Sequence, residues 1–200
     1  AISQMPHKVL LLDIDGVLMQ QPKLFSEIYC ERYGVSIDKL LPFYSSKEFL
    51  DCSIGKYDLK QAIRDHRDKW QYTGDLDSLL SEWFEAERYP NEKLVELVKN
   101  LREQGVCVVI VTQQEKYRTA YLKQNVFSDM YDDFFVSCEL GLHKDSKDFW
   151  DEVLKRLDVS LPGEVLYFDD KQSLVTLAKS VGIDAHLYQS VEQVKKLASI

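Results

Sequence analysis

The chain of 200 residues is 45% hydrophobic and 12% aromatic, enough to bury one substantial core with a modest insertion. Its 25 Lys and Arg stand against 33 Asp and Glu, a formal charge of −8. That balance argues against a nucleic-acid partner or an anionic membrane, because each demands a positive face; a small anionic substrate stays open.

Ala1–His7 is expected to be a tail. Val9–Ile14 is a short apolar run closing on acidic residues, the pattern of a buried parallel strand. It is too short and too charged for a signal or membrane segment. From Met19 to Tyr89 no comparable strand run occurs. Amphipathic patterns over Leu24–Tyr33, Leu59–Trp70 and Leu76–Glu87 predict helices instead. This stretch of roughly seventy residues far exceeds an ordinary crossover and reads as a helical insertion.

Asn91 can cap a helix carrying Leu94, Val95, Leu97, Val98 and Leu101, which Gly105 stops. Val106–Val111 predicts the next strand, ending at Thr112. Lys116–Gln124 reads as a helix, Phe134–Val136 as a strand, Lys147–Leu157 as a helix and Val165–Phe168 as a strand. Leu174, Val175, Leu177, Ala178 and Val181 form a further helical stripe before Gly182, and Ala185–Tyr188 reads as a fifth strand. Alternation of this kind predicts a parallel sheet covered on both faces. The expected fold is α/β, a Rossmann-like doubly wound sheet formed by residues 1–18 and 90–200, with an all-helical cap over 19–89. Cys30, Cys52, Cys107 and Cys138 form no C-x-x-C pair and are expected to be reduced thiols in a cytoplasmic protein.

Ligands of parallel α/β sheets bind beyond the carboxyl ends of the strands. There the sequence places Asp13, Asp15 and Gly16 after the first strand, Thr112 after the second, and Asp169 with Asp170 after another; Lys144 follows the Phe134–Val136 run in a loop. Taken singly, each has a plain alternative. Asp170 can cap the following helix, Thr112 can be an ordinary strand residue, and Lys144 can be a solvated lysine. Asp13 is harder to dismiss, because a carboxylate closing a VLLL run needs a partner to offset desolvation. Four aspartates against one lysine either raise a carboxyl pKa or recruit a cation, and a hard divalent ion such as Mg2+ suits oxygen ligands. Phosphoryl transfer through an aspartyl-phosphate fits this set. Lys144 and Thr112 take up phosphoryl charge, and a second carboxyl two residues beyond the nucleophile serves as acid and then base.

DIDGV at Asp13–Val17, Thr112 closing VVIVT, Lys144 in GLHKDSKDFW and YFDD at Tyr167–Asp170 resemble the four ordered motifs of the haloacid dehalogenase-like (HAD) superfamily. The resemblance covers nearly the whole chain and implies a Mg2+-dependent phosphatase acting on a small phosphorylated metabolite. It implies Asp13 as nucleophile and Asp15 as general acid/base, with the Asp15 backbone carbonyl also touching the metal. Thr112, Gln113 and Lys144 would hold phosphate. Asp13, Asp170 and Asp169 would bind the metal, Asp170 ahead of Asp169. The second Asp of DxD favours phosphate esters over carbon–halogen bonds. Gln113, Asp145 and Leu174 stand where the family more often has Asn, Pro and Asn. SIGKYD at Ser53–Asp58 resembles the cap segment that faces the active site in relatives, which makes Gly55 and Lys56 candidate specificity residues; a plain loop before a helix is the alternative.

Other readings are a β-phosphoglucomutase-like sugar phosphomutase with the same motifs and a non-enzymatic phosphoacceptor or binding protein on the same fold. A signalling receiver domain places its acidic pair first, the reverse of the order here. No Cys is followed six residues later by Arg, no G-x-S-x-G is present, and His7, His66, His143 and His186 show no metal-ligand spacing.

Overall fold

The structure is a computed structural model and describes residues 7–198. The tail expected over Ala1–His7 lies outside the described residues except for His7. That residue departs from the expectation, because its imidazole bonds the Asp184 carboxylate at 2.8 Å.

The described residues form one parallel sheet of five strands: β1 (Val9–Leu12), β2 (Cys107–Thr112), β3 (Asp133–Val136), β4 (Val165–Asp169) and β5 (Asp184–Leu187), in the order β3-β2-β1-β4-β5. The apolar runs are continuous because both faces are covered. Leu10, Leu12, Val108, Ile110 and Phe168 pack under α7 (Glu92–Glu103) and α12 (Val191–Ala198). Leu11, Val109, Val111 and Tyr167 pack under α10 (Lys147–Arg156) and α11 (Gln172–Ser180). Asn91 caps α7 as expected, its side chain accepting from Leu94 N at 3.4 Å.

β1 is central, with β2 and β4 as its neighbours, and the register aligns Leu12 with Ile110 and with Phe168. The tips of these three strands therefore lie side by side. The chain runs outward from β1 in both directions, which opens a crevice at this switch point.

Between β1 and α7 the chain builds a helical block: α1 (Phe25–Tyr33), α2 (Ile37–Leu40), α3 (Lys47–Ser53), α4 (Leu59–Asp65), α5 (Arg67–Trp70) and α6 (Leu76–Ala86). Its core is its own and strongly aromatic, with Phe25, Tyr29, Phe43, Trp70 and Trp83 in one cluster. The two connections run side by side: Gln20 N donates to Tyr89 O and Asn91 N to Leu18 O.

Two elements differ from the sequence reading. The helix expected over Leu59–Trp70 breaks at His66, whose ring packs on Phe43 and bonds Glu48. The turn there carries Trp70 into the cap core. The helix expected over Lys116–Gln124 is regular only over α8 (Lys116–Tyr121) and then widens into a π-type turn over Leu122–Val126, which places Leu122 and Phe127 in the sheet core. Among the described residues no helix is long and apolar enough to cross a membrane.

Candidate active site

Asp13 follows directly on β1 and is only 7% exposed. Its Oδ1 accepts a hydrogen bond from Lys144 Nζ at 2.8 Å. Asp169, fully buried at the tip of β4, accepts from the same ammonium at 2.9 Å and from the Tyr167 hydroxyl. The third Lys144 proton goes to the Val111 carbonyl at 3.1 Å. Lys144 lies beyond α9 (Ser137–Leu140) and is 3% exposed, so the solvated-lysine alternative does not hold. Its backbone is pinned at both ends, with N–H donating to Gln113 Oε1 and C=O accepting from Trp150 Nε1.

Asp170 stands beside this buried group with its side chain exposed, and carboxylate oxygens of Asp13, Asp169 and Asp170 lie within 4.8 Å of one another. Asp170 does not cap α11: the N-cap is Lys171, the helix has no side-chain cap, and Asp169 accepts from Lys171 N at 2.9 Å. Gly16 makes room for the arrangement. It has φ +87°, and a Cβ there would come 2.0 Å from Asp170 Oδ2, so no side chain fits.

The electrostatics follow from burial and crowding. Burial pushes the Asp13 carboxyl up to about 7, with the Asp169 charge adding to the rise, although Lys144 pulls the other way. Asp169 resists its own burial and stays below the usual carboxylate range through Lys144 and Tyr167. Asp170 is raised by burial and by Asp169. One ammonium thus faces three carboxylates. The surplus of negative charge and the all-oxygen donor set fit a hard divalent cation held by Asp13, Asp169 and Asp170.

The Asp15 carboxylate is not part of that trio. Arg118 grips it with both terminal nitrogens, Nη1 to Oδ2 at 2.8 Å and Nη2 to Oδ1 at 3.0 Å, and Gln114 and Gln21 donate to it as well. Burial opposes ionisation, but the guanidinium and these donors hold Asp15 well below the usual range. Gln114 also donates to the Thr112 hydroxyl at 2.9 Å. Thr112 is buried at the tip of β2, and the amide of Gln113 stands 3.4 Å from His143 Nδ1.

A cavity of about 620 Å³ lies between sheet and cap. Asp15, Gln113, Gln114, Arg118, Lys144 and Lys171 line it from the sheet side. Asp145 and Leu174, two of the departures from the family pattern, line it too. Gly55 and Lys56 do not. Gly55, with φ +76°, presses its backbone against the Cys138 carbonyl, where a Cβ would come within 2.3 Å, so it serves the cap–core contact; Lys56 is exposed.

Sequence reasoning missed Arg118, Gln114, Tyr167 and Glu87. Arg118 is 8% exposed and bridges Asp15 to Glu87, the latter at 3.6 Å. The available signal was position. α8 starts just past the β2 tip, so its first turn faces the crevice. Tyr167 lies two residues before Asp169 on one strand, hence on the same face.

Carboxylates, a hydroxyl and an ammonium gathered at the tips of adjacent parallel strands under an inserted helical roof define a hydrolase of the α/β class with a carboxylate centre. The family profile described as haloacid dehalogenase-like hydrolase matches residues 7–182, and the chain belongs to this family. A HAD family enzyme of Bacteroides thetaiotaomicron, solved as a magnesium complex, is similar in fold at TM-score 0.81. It has 18% identity, with 98% of this chain and all of that one (100%) covered. A HAD phosphatase of Thermococcus onnurineus gives 0.71 at 20% identity over 96% and 98% of the two chains. At these identities the likeness is one of fold. The sesquiterpene phosphatase astK of Aspergillus oryzae is 29% identical over 113 residues, which span 56% of this chain and 57% of that protein.

Proposed function

We propose that the protein is a Mg2+-dependent phosphatase that hydrolyses a small phosphomonoester through an aspartyl-phosphate on Asp13. The observation that carries this reading is the geometry at the strand tips: a buried carboxylate nucleophile beside an ammonium, with a second carboxylate two residues on held apart by Arg118. Likeness to a sesquiterpene phosphatase supports ester hydrolysis, and so does the second Asp of DIDGV.

Asp13 Oδ attacks phosphorus, the bond to the ester oxygen breaks, and that oxygen leaves with a proton from Asp15. Asp15 then takes a proton from water as the water oxygen attacks the phosphoryl group on Asp13, releasing inorganic phosphate and restoring the carboxylate. The Arg118 grip keeps Asp15 in the ionised form that the second step requires. The first step draws on a proton that Asp15 acquires only when that grip loosens. Lys144, Thr112 and Gln113 bind phosphoryl oxygens. Asp13, Asp169 and Asp170 would hold Mg2+, with the Asp15 carbonyl as a further ligand, and the ion supplies charge neutralisation between carboxylate and phosphate. The thiols of Cys30, Cys52, Cys107 and Cys138 are free, which supports a cytoplasmic setting.

Hydrolysis of p-nitrophenyl phosphate with and without Mg2+, for wild type and Asp13→Asn, tests the mechanism. Turnover is expected only from the wild type with metal, and metal-independent hydrolysis or an active Asn variant overturns it. The phosphomutase reading requires a hydroxyl-rich sugar in the cavity, and the largely apolar cap side of that cavity argues against one.

A further inference from the structure

Cap and sheet contribute very different surfaces to the cavity. The cap supplies Leu41, Tyr44, Phe49, Leu59, Trp83 and Phe84 beside the polar Gln21, Ser26, Ser53 and Glu87, and among the described residues it lends the cavity no lysine, arginine or histidine. A second phosphate, as in a nucleotide or a sugar bisphosphate, finds no cation there. A polyol finds little that is free to bond, since the Ser53 hydroxyl donates to the Phe49 carbonyl, the Gln21 amide donates to Asp15, and Glu87 accepts from Phe25 N and Trp83 Nε1. The apolar surface continues outward: Leu24 and Leu41, 57% and 48% exposed, stand among the lining side chains. Exposed apolar area continuous with a cavity marks a binding surface.

Resting on the phosphatase reading for the site's chemistry, we infer that the substrate is the phosphomonoester of a predominantly apolar alcohol. Its phosphate meets Lys144 and Thr112 at the strand tips, and its carbon skeleton lies against Phe49, Trp83 and Phe84, running out past Leu41. The cap selects the substrate by excluding water from carbon rather than by reading hydroxyl groups.

The test is calorimetric binding to Asp13→Asn with Mg2+, a variant chosen to keep the ester intact, alongside wild-type kcat/KM. The ligands are butyl, hexyl and octyl phosphate, glucose 6-phosphate and AMP. Affinity is expected to rise about fourfold per added methylene until the cavity is filled. Hexyl phosphate should bind more tightly than either hydrophilic ester. Leu41→Asn, at the exposed mouth, should flatten the slope at its long end. A flat alkyl series, or tighter binding of glucose 6-phosphate or AMP than of hexyl phosphate, overturns the inference. Steep binding without wild-type hydrolysis upholds the substrate class and removes the phosphatase reading. Hydrolysis combined with flat or sugar-preferring binding does the reverse.

Discussion

On the floor of the cavity Lys144 donates to Asp13, Asp169 and the Val111 carbonyl, and Arg118 forks onto Asp15. On the roof Leu41, Phe49 and Trp83 present carbon, and the Tyr44 hydroxyl bonds to nothing. The floor pairs its charged groups with one another and keeps a surplus of carboxylate that suits a cation, whereas the roof offers mostly carbon. Floor geometry is set chiefly by charge pairing at strand tips. A family can in this way keep one reaction while changing substrates, because reactivity and selectivity rest on different residues held by different cores.

The largest effect comes from breaking the floor. Lys144→Met keeps the length of the side chain and leaves two buried carboxylates without their ammonium. Removing one partner of such a group costs about 3–5 kcal/mol, and phosphoryl binding goes with it. The cost depends on pH in a definite direction. Asp13 lies near 7 with Lys144 present, and removal of the lysine raises it further. Protonation then relieves the repulsion, so the stability deficit against wild type is largest at alkaline pH and shrinks as pH falls through that value. Urea denaturation at pH 8.5 and pH 6 measures it, and an equal deficit at both means that the carboxylates are not what Lys144 neutralises.

How much of each region was legible follows from the same contrast. Asp13, Thr112 and Asp169 could be placed because each ends an apolar run, and runs that end in polar atoms mark strand tips. The helical nature of the cap was legible from periodicity, but its packing was not. α2 and α5 are four residues each, too short for a pattern, and the break at His66 depends on Phe43 and Glu48, far away in sequence. For Gly55 the sequence leaves two readings, a specificity position and a plain loop before a helix, because local sequence gives its turn but not the Cys138 carbonyl against which that turn rests. Arg118 was hidden for a complementary reason: an arginine on a helix is solvated by default, and only the fold supplies Asp15 and the buried Glu87 as its partners.

Arg118 also sharpens the comparison, since it joins the floor to the cap connection. Glu87 takes hydrogen bonds from Phe25 N and Trp83 Nε1, so the Arg118–Glu87 contact ties Asp15 to the cap's own core. Arg118→Met is expected to lower kcat/KM about 100-fold by misplacing Asp15. Without the guanidinium Asp15 protonates at higher pH, so the acidic limb of the kcat profile, where the second step needs Asp15 ionised, moves upward. Arg118→Lys restores charge but not the fork and should recover the limb more than the rate. A lowered rate with an unmoved limb limits Arg118 to cap placement.

The smallest effect separates cap from floor at their edge. Tyr117 OH donates to Asp58 Oδ2 at 2.6 Å, and Lys116 Nζ lies 3.0 Å from the same oxygen, joining α8 to the start of α4. Burial opposes ionisation of Asp58, but Tyr117 and Lys116 bring it down to about 2 from its usual 3.8. A carboxylate lowered in the folded state contributes stability above 3.8, and the contribution is lost as pH falls through about 2. With the Asp58 side chain 36% exposed, solvent screening keeps the loss in Tyr117→Phe to about 0.5–1 kcal/mol at neutral pH. The gap between wild type and variant should narrow in urea denaturation at pH 3 relative to pH 7. A gap of the same size at both means that the hydroxyl acts through packing, and the clasp then belongs with the apolar roof instead of the charged floor.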